Sequence, residues 1–512
     1  LKKFTRRNLI KGGAAAGVAA GTYSPLSRAA LLVPTYRSSR KAVVIGSGFG
    51  GSVASLRLAE AGIPTMLIER GKHWVYQGED SYPTVGGFIG DIDDGLLWKE
   101  PGPISGSTGM LEQYIGGSIP VGVGAGLGGG SLVYGGVLLQ PPRELFEKVL
   151  PNISYDEMDS IYYPRLLSRV SGGKIPDDIL NSPNYTSMRV FIENANLAGL
   201  DVVRSEVGFD WDVIRKEVQG EITPFASIGE YVLGCNSGAK KTLDRNYLAD
   251  AQNTGNLEIM TLHNVVRVRK KIFSSRYEVH CDVVSEDGEV IAKRIIDCKY
   301  LFMAAGSIHT TRLLLKAKAL GDIPTINEGV GQEWGTNGDE LKARNNITAS
   351  TGPVQGGPPA IAAFDFDNPV KPTGFMHSPN LVAGEYMQMQ MGMCIPDQTS
   401  TASYNVVTDK INFNWSREDN EPSTSALNHT MDKMMNKGGG ELLDVKALGT
   451  WHPLGGAAMG VACSDLGELY GTPNLFVVDG ALIPGSSGAA NPSLTIGANA
   501  ERIMERLVAQ LT

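Results

Sequence analysis

Long apolar runs are missing from this chain of 512 residues. No stretch reaches the roughly 18 apolar residues that a membrane-spanning helix needs. Cysteine is scarce: Cys235, Cys281, Cys298, Cys394 and Cys463 form no C-x-x-C pair and no metal-ligand spacing. That excludes a zinc module and a disulfide scaffold, and predicts buried, unreactive thiols and no metal site. Positive charge is not in excess either. The formal net charge is −8, so a nucleic-acid partner has no electrostatic footprint. Histidine is sparse, with seven residues, which shortens the search for an acid or base. No internal repeat is visible.

Glycine, by contrast, is abundant. The 63 glycines exceed the usual share of about 7%, and many fall in three segments. In the first, Lys41-Ala-Val-Val-Ile45 runs into Gly46-Ser-Gly48-Phe49-Gly50-Gly51, and the apolar run Met66-Leu-Ile68 ends at Glu69. This is a dinucleotide fingerprint in its setting: strand, tight turn, helix, strand and acid. The glycines let backbone approach a pyrophosphate, and the helix from Ser52 to Ala61 offers its N-terminal amides to that anion. Glu69 can accept a ribose hydroxyl and argues against a 2′-phosphate, so NADP is disfavoured. Fingerprint and acid alone leave NAD and FAD open.

A second element, Asn474-Leu-Phe-Val-Val478 running into Asp479-Gly480, lies near the other end of the chain. FAD is long and needs ligands from a distant part of a fold for its flavin end, so this element favours FAD. The third segment, Gly122 to Ser131, does not repeat the fingerprint spacing. It reads as backbone packed closely against a flat ligand, and Leu132-Val133-Tyr134 directly after it argues against a flexible linker.

The first 40 residues stand apart, with eight Lys and Arg and no acid before Glu60. Thr5-Arg6-Arg7-Asn8-Leu9-Ile10-Lys11, followed by the mild apolar stretch Gly12 to Thr22, predicts a twin-arginine export signal with a processing site around Ser27-Arg28-Ala29-Ala30. Export to the periplasm or outside the cell is expected. The alternative is a basic surface arm.

Further along, 146–169 reads as one helix. Leu257–Leu262, Val265–Val268, Tyr277–Val284 and Val290–Ile296 read as antiparallel strands with a hairpin turn at Glu286-Asp-Gly288. Tyr300 to Ala305 reads as a separate buried strand. Alternation in Tyr386 to Met393 puts Met387, Met389, Met391 and Met393 on one face, either as core packing or as a pliable apolar substrate wall. The fold class expected is α/β: a discontinuous Rossmann-like cofactor domain with an inserted substrate domain of mainly antiparallel sheet plus helices. The boundaries expected are a leader (1–40), cofactor-domain pieces (41–150, 251–345, 451–512) and substrate-domain pieces (151–250, 346–450).

Among the histidines, His452 differs. Trp451-His452-Pro453-Leu454-Gly455-Gly456 is a stiff, turn-rich presentation of one imidazole, and Asn491-Pro492 follows 39 residues later. Histidine suits removal of a hydroxyl proton near neutral pH, and a fixed amide can hold the oxygen. Position alone leaves a structural histidine equally open.

These motifs, in this order, resemble the glucose–methanol–choline flavoprotein oxidoreductases, and within them the bacterial cholesterol oxidases that hold FAD non-covalently. The resemblance runs from about Lys41 to the C-terminus. It rests on 43–50, on Gly126-Leu-Gly-Gly-Gly-Ser-Leu-Val-Tyr-Gly-Gly136, on His452 to Gly456 and on Asp479-Gly-Ala-Leu-Ile-Pro-Gly485. It implies that His452 and Asn491 grip a substrate hydroxyl beside the flavin. It places Phe49, Gly50, Gly51 and Glu69 at the adenosine diphosphate, Val265 near the adenine, Gly130, Tyr134, Gly135 and Val137 along the flavin, and Gly480 and Ser493 on its other side.

Two departures bear on chemistry. Tyr134 stands where these oxidases often carry asparagine. Met376, with His377 beside it in the expected substrate pocket, stands where cholesterol oxidases carry the glutamate that moves the steroid double bond; Glu385 lies too far along. The segment from Gly438 to Gly449 is also several residues shorter than the matching loop. The reading is therefore oxidation of a secondary alcohol, a 3-hydroxysteroid or similarly bulky apolar alcohol, with weak or no Δ5-to-Δ4 isomerisation. Oxygen and a quinone-type acceptor both stay open, as does transient contact with a membrane surface during substrate uptake. The alternatives are an oxidase or dehydrogenase of another bulky alcohol, and a flavin-binding protein without turnover.

Overall fold

The structure is a computed structural model that describes residues 33–84, 96–100, 106–117, 119–379, 381, 384–416, 418–443 and 449–512. The expected export signal lies outside the described residues, as do 444–448 of the short loop before His452.

The first strand, β1 (Thr35–Ile45), is buried over Ala42–Ile45 and turns at Gly46 into helix α1 (Phe49–Glu60). Gly62, at φ +69°, and Pro64 end the helix and lead into β2 (Thr65–Ile68), which pairs parallel to β1 from Ala42↔Thr65 to Ile45↔Ile68. β2 and the Ala42–Ile45 end of β1 are buried on both faces, as a sheet covered on two sides requires. Burying each of Val43, Val44 and Ile45 is worth roughly 1.5–3 kcal/mol, which fixes where this unit sits in the core.

A two-stranded ribbon follows, β3 (Leu111–Ile115) and β4 (Pro120–Gly124). The single helix expected over 146–169 is two pieces. Helix α2 (Arg143–Val149) stops before Pro151, which has no N–H to continue it. A new helical stretch runs from Tyr155 to Val170, capped by Ser154, whose hydroxyl accepts from the Glu157 amide at 3.3 Å.

Helix α3 (Thr186–Leu197) and β5 (Asp201–Arg204) come next, then β6 (Leu257–Met260), β7 (His263–Lys270), β8 (Tyr277–Val284), β9 (Val290–Met303) and α4 (Gly306–Ala319). Two expectations change here. β6 pairs parallel to β2 instead of antiparallel to its successor, because Leu262, at φ +57°, turns the chain away after it. Val290–Ile296 and Tyr300–Ala305 are not separate strands; β9 is continuous across them. Its first part pairs with β8, its last three residues with the short β15 (Leu475–Val477), and Lys293–Met303 with β1.

The first sheet is therefore ordered β6-β2-β1-β9-β8-β7, with β15 beside the end of β9. A second sheet consists of β5 with β10 (Glu340–Ile347), β11 (Ile361–Asp365), β12 (Thr373–His377), β13 (Gln388–Met393) and β14 (Gly439–Leu443). Its order is β14-β10-β13-β12-β11-β5, with every neighbouring pair antiparallel. Helices α3 and α5 (Glu421–Gly438) pack on it, and α6 (Pro492–Leu511) closes the chain against α1.

The α/β class with an inserted antiparallel sheet is as the sequence suggests. Packing divides the chain at other points than the expected boundaries. Thr35–Arg40, counted with the leader, pairs with Lys293–Cys298. Tyr162, Tyr163, Leu166, Tyr247 and Leu248 join the core of the first sheet, whereas residues between Ile175 and Ala239 contribute to that of the second. All five cysteines are free and buried. No helix among the described residues is long and apolar enough to cross a membrane.

Candidate active site

The fingerprint turn is built by close backbone packing. Gly46 adopts φ +99°, and a Cβ there would lie 2.3 Å from the Ala304 carbonyl oxygen. A Cβ on Gly50 would lie 1.9 Å from the Val478 oxygen, so α1 can sit on the chain after β15 only with glycine at this point. Gly51 backs the same turn. Glu69, fully buried at the end of β2, accepts from the Ser47 hydroxyl (2.6 Å), the Ser47 amide (3.2 Å) and the Gly71 amide (2.9 Å). Burial pushes its carboxyl up, against those donors. The Gly128 amide donates in turn to the Ser47 hydroxyl (3.0 Å), which ties the third glycine segment to the fingerprint.

Between these parts lies a cleft of about 1210 Å³, counting its open mouth. Gly46, Gly48, Phe49, Gly50, Glu69, Gly130, Val265, His452, Asp479 and Gly480 all line it. Gly48 and Gly130 face open space, where a side chain would project into the cleft. The N-terminus of α1 opens on the same space. Asp479 accepts from the Thr310 hydroxyl (2.6 Å), the Gly306 amide (2.7 Å) and the Ala481 amide (2.9 Å), and burial raises its carboxyl to about 6. It fixes the start of α4 against the chain after β15. A long cleft with helix amides at one region, a buried carboxylate at each of two others and a glycine wall fits a dinucleotide such as FAD.

The other expected cofactor residues stand behind this wall. Ser493 donates to the Val137 carbonyl at 2.9 Å, and Val137 pairs with Val207. A Cβ on Gly135 would face Pro359 and Tyr231. Tyr134 packs edge-on against Phe49, and its buried hydroxyl points toward Gly208 with no hydrogen-bond partner among the described residues. Lys240 is buried nearby, and its ammonium donates to the carbonyls of Leu132, Tyr134 and Val232 at 2.9–3.0 Å.

At one end of the cleft His452 Nε2 lies 3.3 Å from Asn491 Nδ2. Asn491 precedes the first residue of α6, where its backbone is extended, so its side chain is free of the helix. Met376 and His377 part company, as adjacent strand residues must. Met376 packs with Val137, Leu139, Phe364, Met393 and Ala490, on the side of Asn491. His377 faces away: its Nε2 is 2.9 Å from the Ser187 hydroxyl, and burial pushes its imidazole down to about 3. His377 is thus removed from the expected substrate wall. The methionine face joins the packed side of β13, while Gln388 and Gln390 are buried on the other.

Two features escaped the sequence. Asp339 and Thr450 are buried beside His452, and the Thr450 hydroxyl lies 2.9 and 3.1 Å from the two Asp339 carboxylate oxygens. Arg70, Glu112 and His309 form a buried cluster beside the cleft, with Glu112 at 2.7 Å from each of the other two. Neither has a local signal, since each joins segments more than 40 residues apart. Among the described residues, no group of three His, Cys, Asp or Glu is placed to hold a metal ion.

Comparison with known proteins gives the same picture. Two family profiles, both described as GMC oxidoreductase, match residues 7–333 and 398–500. A cholesterol oxidase of Mycobacterium tuberculosis is 24% identical over 541 aligned positions, covering 90% of this chain and 89% of that protein. A cholesterol oxidase of Acinetobacter baumannii is 24% identical, covering 92% of this chain and 94% of its own. A fungal aryl-alcohol oxidase structure superposes with TM-score 0.64 at 14% identity, over 92% of this chain and 99% of that one.

Proposed function

This chain belongs to the GMC oxidoreductases, flavoenzymes that oxidise alcohols with FAD, and from that premise we propose that it oxidises a bulky apolar secondary alcohol, a 3-hydroxysteroid first among them. One observation carries the reading: the His452 and Asn491 nitrogens sit 3.3 Å apart at the end of the cofactor cleft, with Met376 and no carboxylate on the strand beside them. Bound FAD supplies the hydride acceptor. His452 Nε2 takes the hydroxyl proton of the substrate, and Asn491 Nδ2 donates to the same oxygen and orients it. The Thr450 hydroxyl, accepting from the His452 amide at 2.9 Å, holds the backbone that presents the imidazole. A thioether cannot accept a proton, so Met376 leaves the Δ5 double bond of a steroid product where it is. The two relatives described as cholesterol oxidases support the sterol class.

FAD is held without a covalent bond in this reading, which rests on the resemblance to the cholesterol oxidases that bind it non-covalently. Acid precipitation then leaves the yellow colour in the supernatant. The Arg6-Arg7 segment supports export, which a reporter fused behind residues 1–40 tests through twin-arginine-dependent secretion.

The decisive experiment is anaerobic mixing of the purified yellow protein with cholesterol while the visible flavin band is followed. Bleaching is expected, and admitting air then tells an oxidase from a dehydrogenase that needs a quinone-type acceptor. An unbleached band with cholesterol and with a panel of bulky secondary alcohols overturns the proposal.

A further inference from the structure

The neutral imidazole has one N–H and one lone pair, so the partners of one nitrogen decide the state of the other. His452 Nε2 faces the amide nitrogen of Asn491, which can only donate. Nε2 is then the acceptor, and the ring hydrogen belongs on Nδ1. Nδ1 is buried and makes no aligned hydrogen bond among the described residues; the Asp339 carboxylate, with Oδ2 at 3.3 Å, is the group within reach.

That carboxylate is itself held. Its side chain is 1% exposed, and the Thr450 hydroxyl donates to it while accepting from the His452 amide. The segment carrying Thr450 and His452 is clamped on two sides, by bridges from Thr450 to Val121 and from Leu454 to Gly335.

The turn that carries Asp339 also reaches the second member of the pair. Asn337 and Gly338 both take φ +61°, and a Cβ on Gly338 would strike the Cys394 carbonyl at 2.3 Å. Asn337 Nδ2 donates to the Ala490 carbonyl and its Oδ1 accepts from the Ser487 amide, both at 2.9 Å. One strained four-residue turn, Thr336 to Asp339, thereby fixes the chain just before Asn491 and presents a carboxylate to His452.

We propose that Asp339 is the positioning residue that keeps His452 as its Nδ1–H tautomer, so that the Nε2 lone pair, which accepts from Asn491 in the free protein, turns to the substrate hydroxyl when alcohol binds and Asn491 donates to the alcohol oxygen instead. This rests on the reading of His452 as proton acceptor. When the substrate proton moves to Nε2, both ring nitrogens carry hydrogen and the imidazolium charge lies against the Asp339 carboxylate. Asp339 neither touches substrate nor takes the proton.

The test has two arms on the FAD-loaded protein. In the first, ring-15N-labelled histidine is followed by long-range 1H–15N correlation, with the His452 signal assigned by its loss in His452→Ala. The wild-type protein is expected to show the hydrogen on Nδ1. Asp339→Asn, whose amide can donate to Nδ1, is expected to move it to Nε2. In the second arm, anaerobic flavin reduction by alcohol is expected to slow by about 10²–10⁴-fold in Asp339→Asn. Alcohol affinity and FAD content stay within threefold, and Asp339→Glu recovers part of the rate.

A wild-type hydrogen on Nε2 overturns the proposal without any variant. So does an Asp339→Asn protein that keeps its tautomer and reduces flavin within threefold of wild type. If no alcohol bleaches the wild-type flavin, the functional reading fails, and the tautomer arm still judges Asp339.

Discussion

Glu112→Gln is expected to loosen the cofactor without touching it. Glu112 lies on β3, opposite Val123 of β4, and Gly122, Val123 and Gly124 form one wall of the cleft. Its carboxylate is 2.7 Å from the Arg70 guanidinium, which follows Glu69 at the end of β2, and 2.7 Å from His309 on α4. The side chains are 10% and 13% exposed for Glu112 and Arg70. This ion pair therefore pins the ribbon to the cofactor domain in a water-poor setting. Removing one partner of such a pair costs about 3–5 kcal/mol, because the other charge stays buried. Glutamine keeps the volume and one acceptor oxygen, so about 2–3 kcal/mol is the reasonable loss here. If FAD leaves only when the ribbon lifts, that loss accelerates release by roughly 30- to 150-fold.

The assay is dilution of the yellow protein and recovery of free FAD fluorescence over time. Release from Glu112→Gln at the wild-type rate, with normal folding, refutes the pinning argument. The pH dependence provides a second check. Burial pushes the Glu112 carboxyl up, but the Arg70 charge and the His309 contact override it and hold it well below the usual carboxylate range. Burial pushes the His309 imidazole down, so it sits neutral and donates to Glu112. Both groups bind a proton more readily once the ribbon has lifted. The stabilisation is complete above about pH 6.5, where free histidine is neutral, weakens as His309 charges, and falls again below about pH 4.5. Wild-type FAD release should quicken in those two steps, and the lower step should vanish in Glu112→Gln.

His452→Ala should lower anaerobic flavin reduction by about 10²–10⁴-fold with FAD still bound; a change under threefold rejects the proton-acceptor role. Asp479 carries a folded-state value of about 6, raised by burial, against roughly 3.9 when unfolded, so its contribution is full at low pH and is lost as pH rises through 6. In denaturant titrations of flavin-depleted protein, wild type should therefore lose roughly 2 kcal/mol relative to Asp479→Asn between pH 4.5 and 7; a constant gap contradicts this. Met376→Glu should gain Δ5-to-Δ4 isomerisation of a sterol ketone that Met376→Leu lacks, read as enone absorbance, and an equal signal from wild type removes the argument from the missing carboxylate.

What could be read from the sequence depended on how far apart the interacting residues lie. The fingerprint, α1 and Glu69 form one local unit, so spacing alone gave the turn, the helix and the buried acid. Elsewhere the deciding partner was remote. Thr35–Arg40 is polar and alternating, with no apolar run to mark a strand, and becomes one only because Lys293–Cys298 lies beside it. Leu257–Met260 has strand chemistry in either direction; its parallel pairing with β2 follows from the Leu262 turn. For Met376 and His377, alternation says that they face opposite ways. Only the neighbours, Ala490 on one side and Ser187 on the other, say which lies toward the segment carrying Asn491.

The same reasoning explains why the residues of the fingerprint turn and the His452 segment are easier to find than those packed behind them. A glycine turn or a His-Pro-Leu-Gly-Gly segment must have a particular local shape, and that shape constrains several neighbours in sequence. A carboxylate behind a histidine needs only to arrive at the right point, by whatever route the fold allows. Asp339 arrives 113 residues before His452, on a turn whose constraints, glycine at 338 and asparagine at 337, belong to its own backbone. Its chemistry becomes visible when Thr450 hydrogen-bonds to both sides. The Gly338 turn is therefore the local trace of a long-range requirement. Gly338→Ala, which forces a Cβ toward Cys394 in a left-handed conformation, should disturb His452 and Asn491 together, while Asp339→Asn should disturb the His452 tautomer alone.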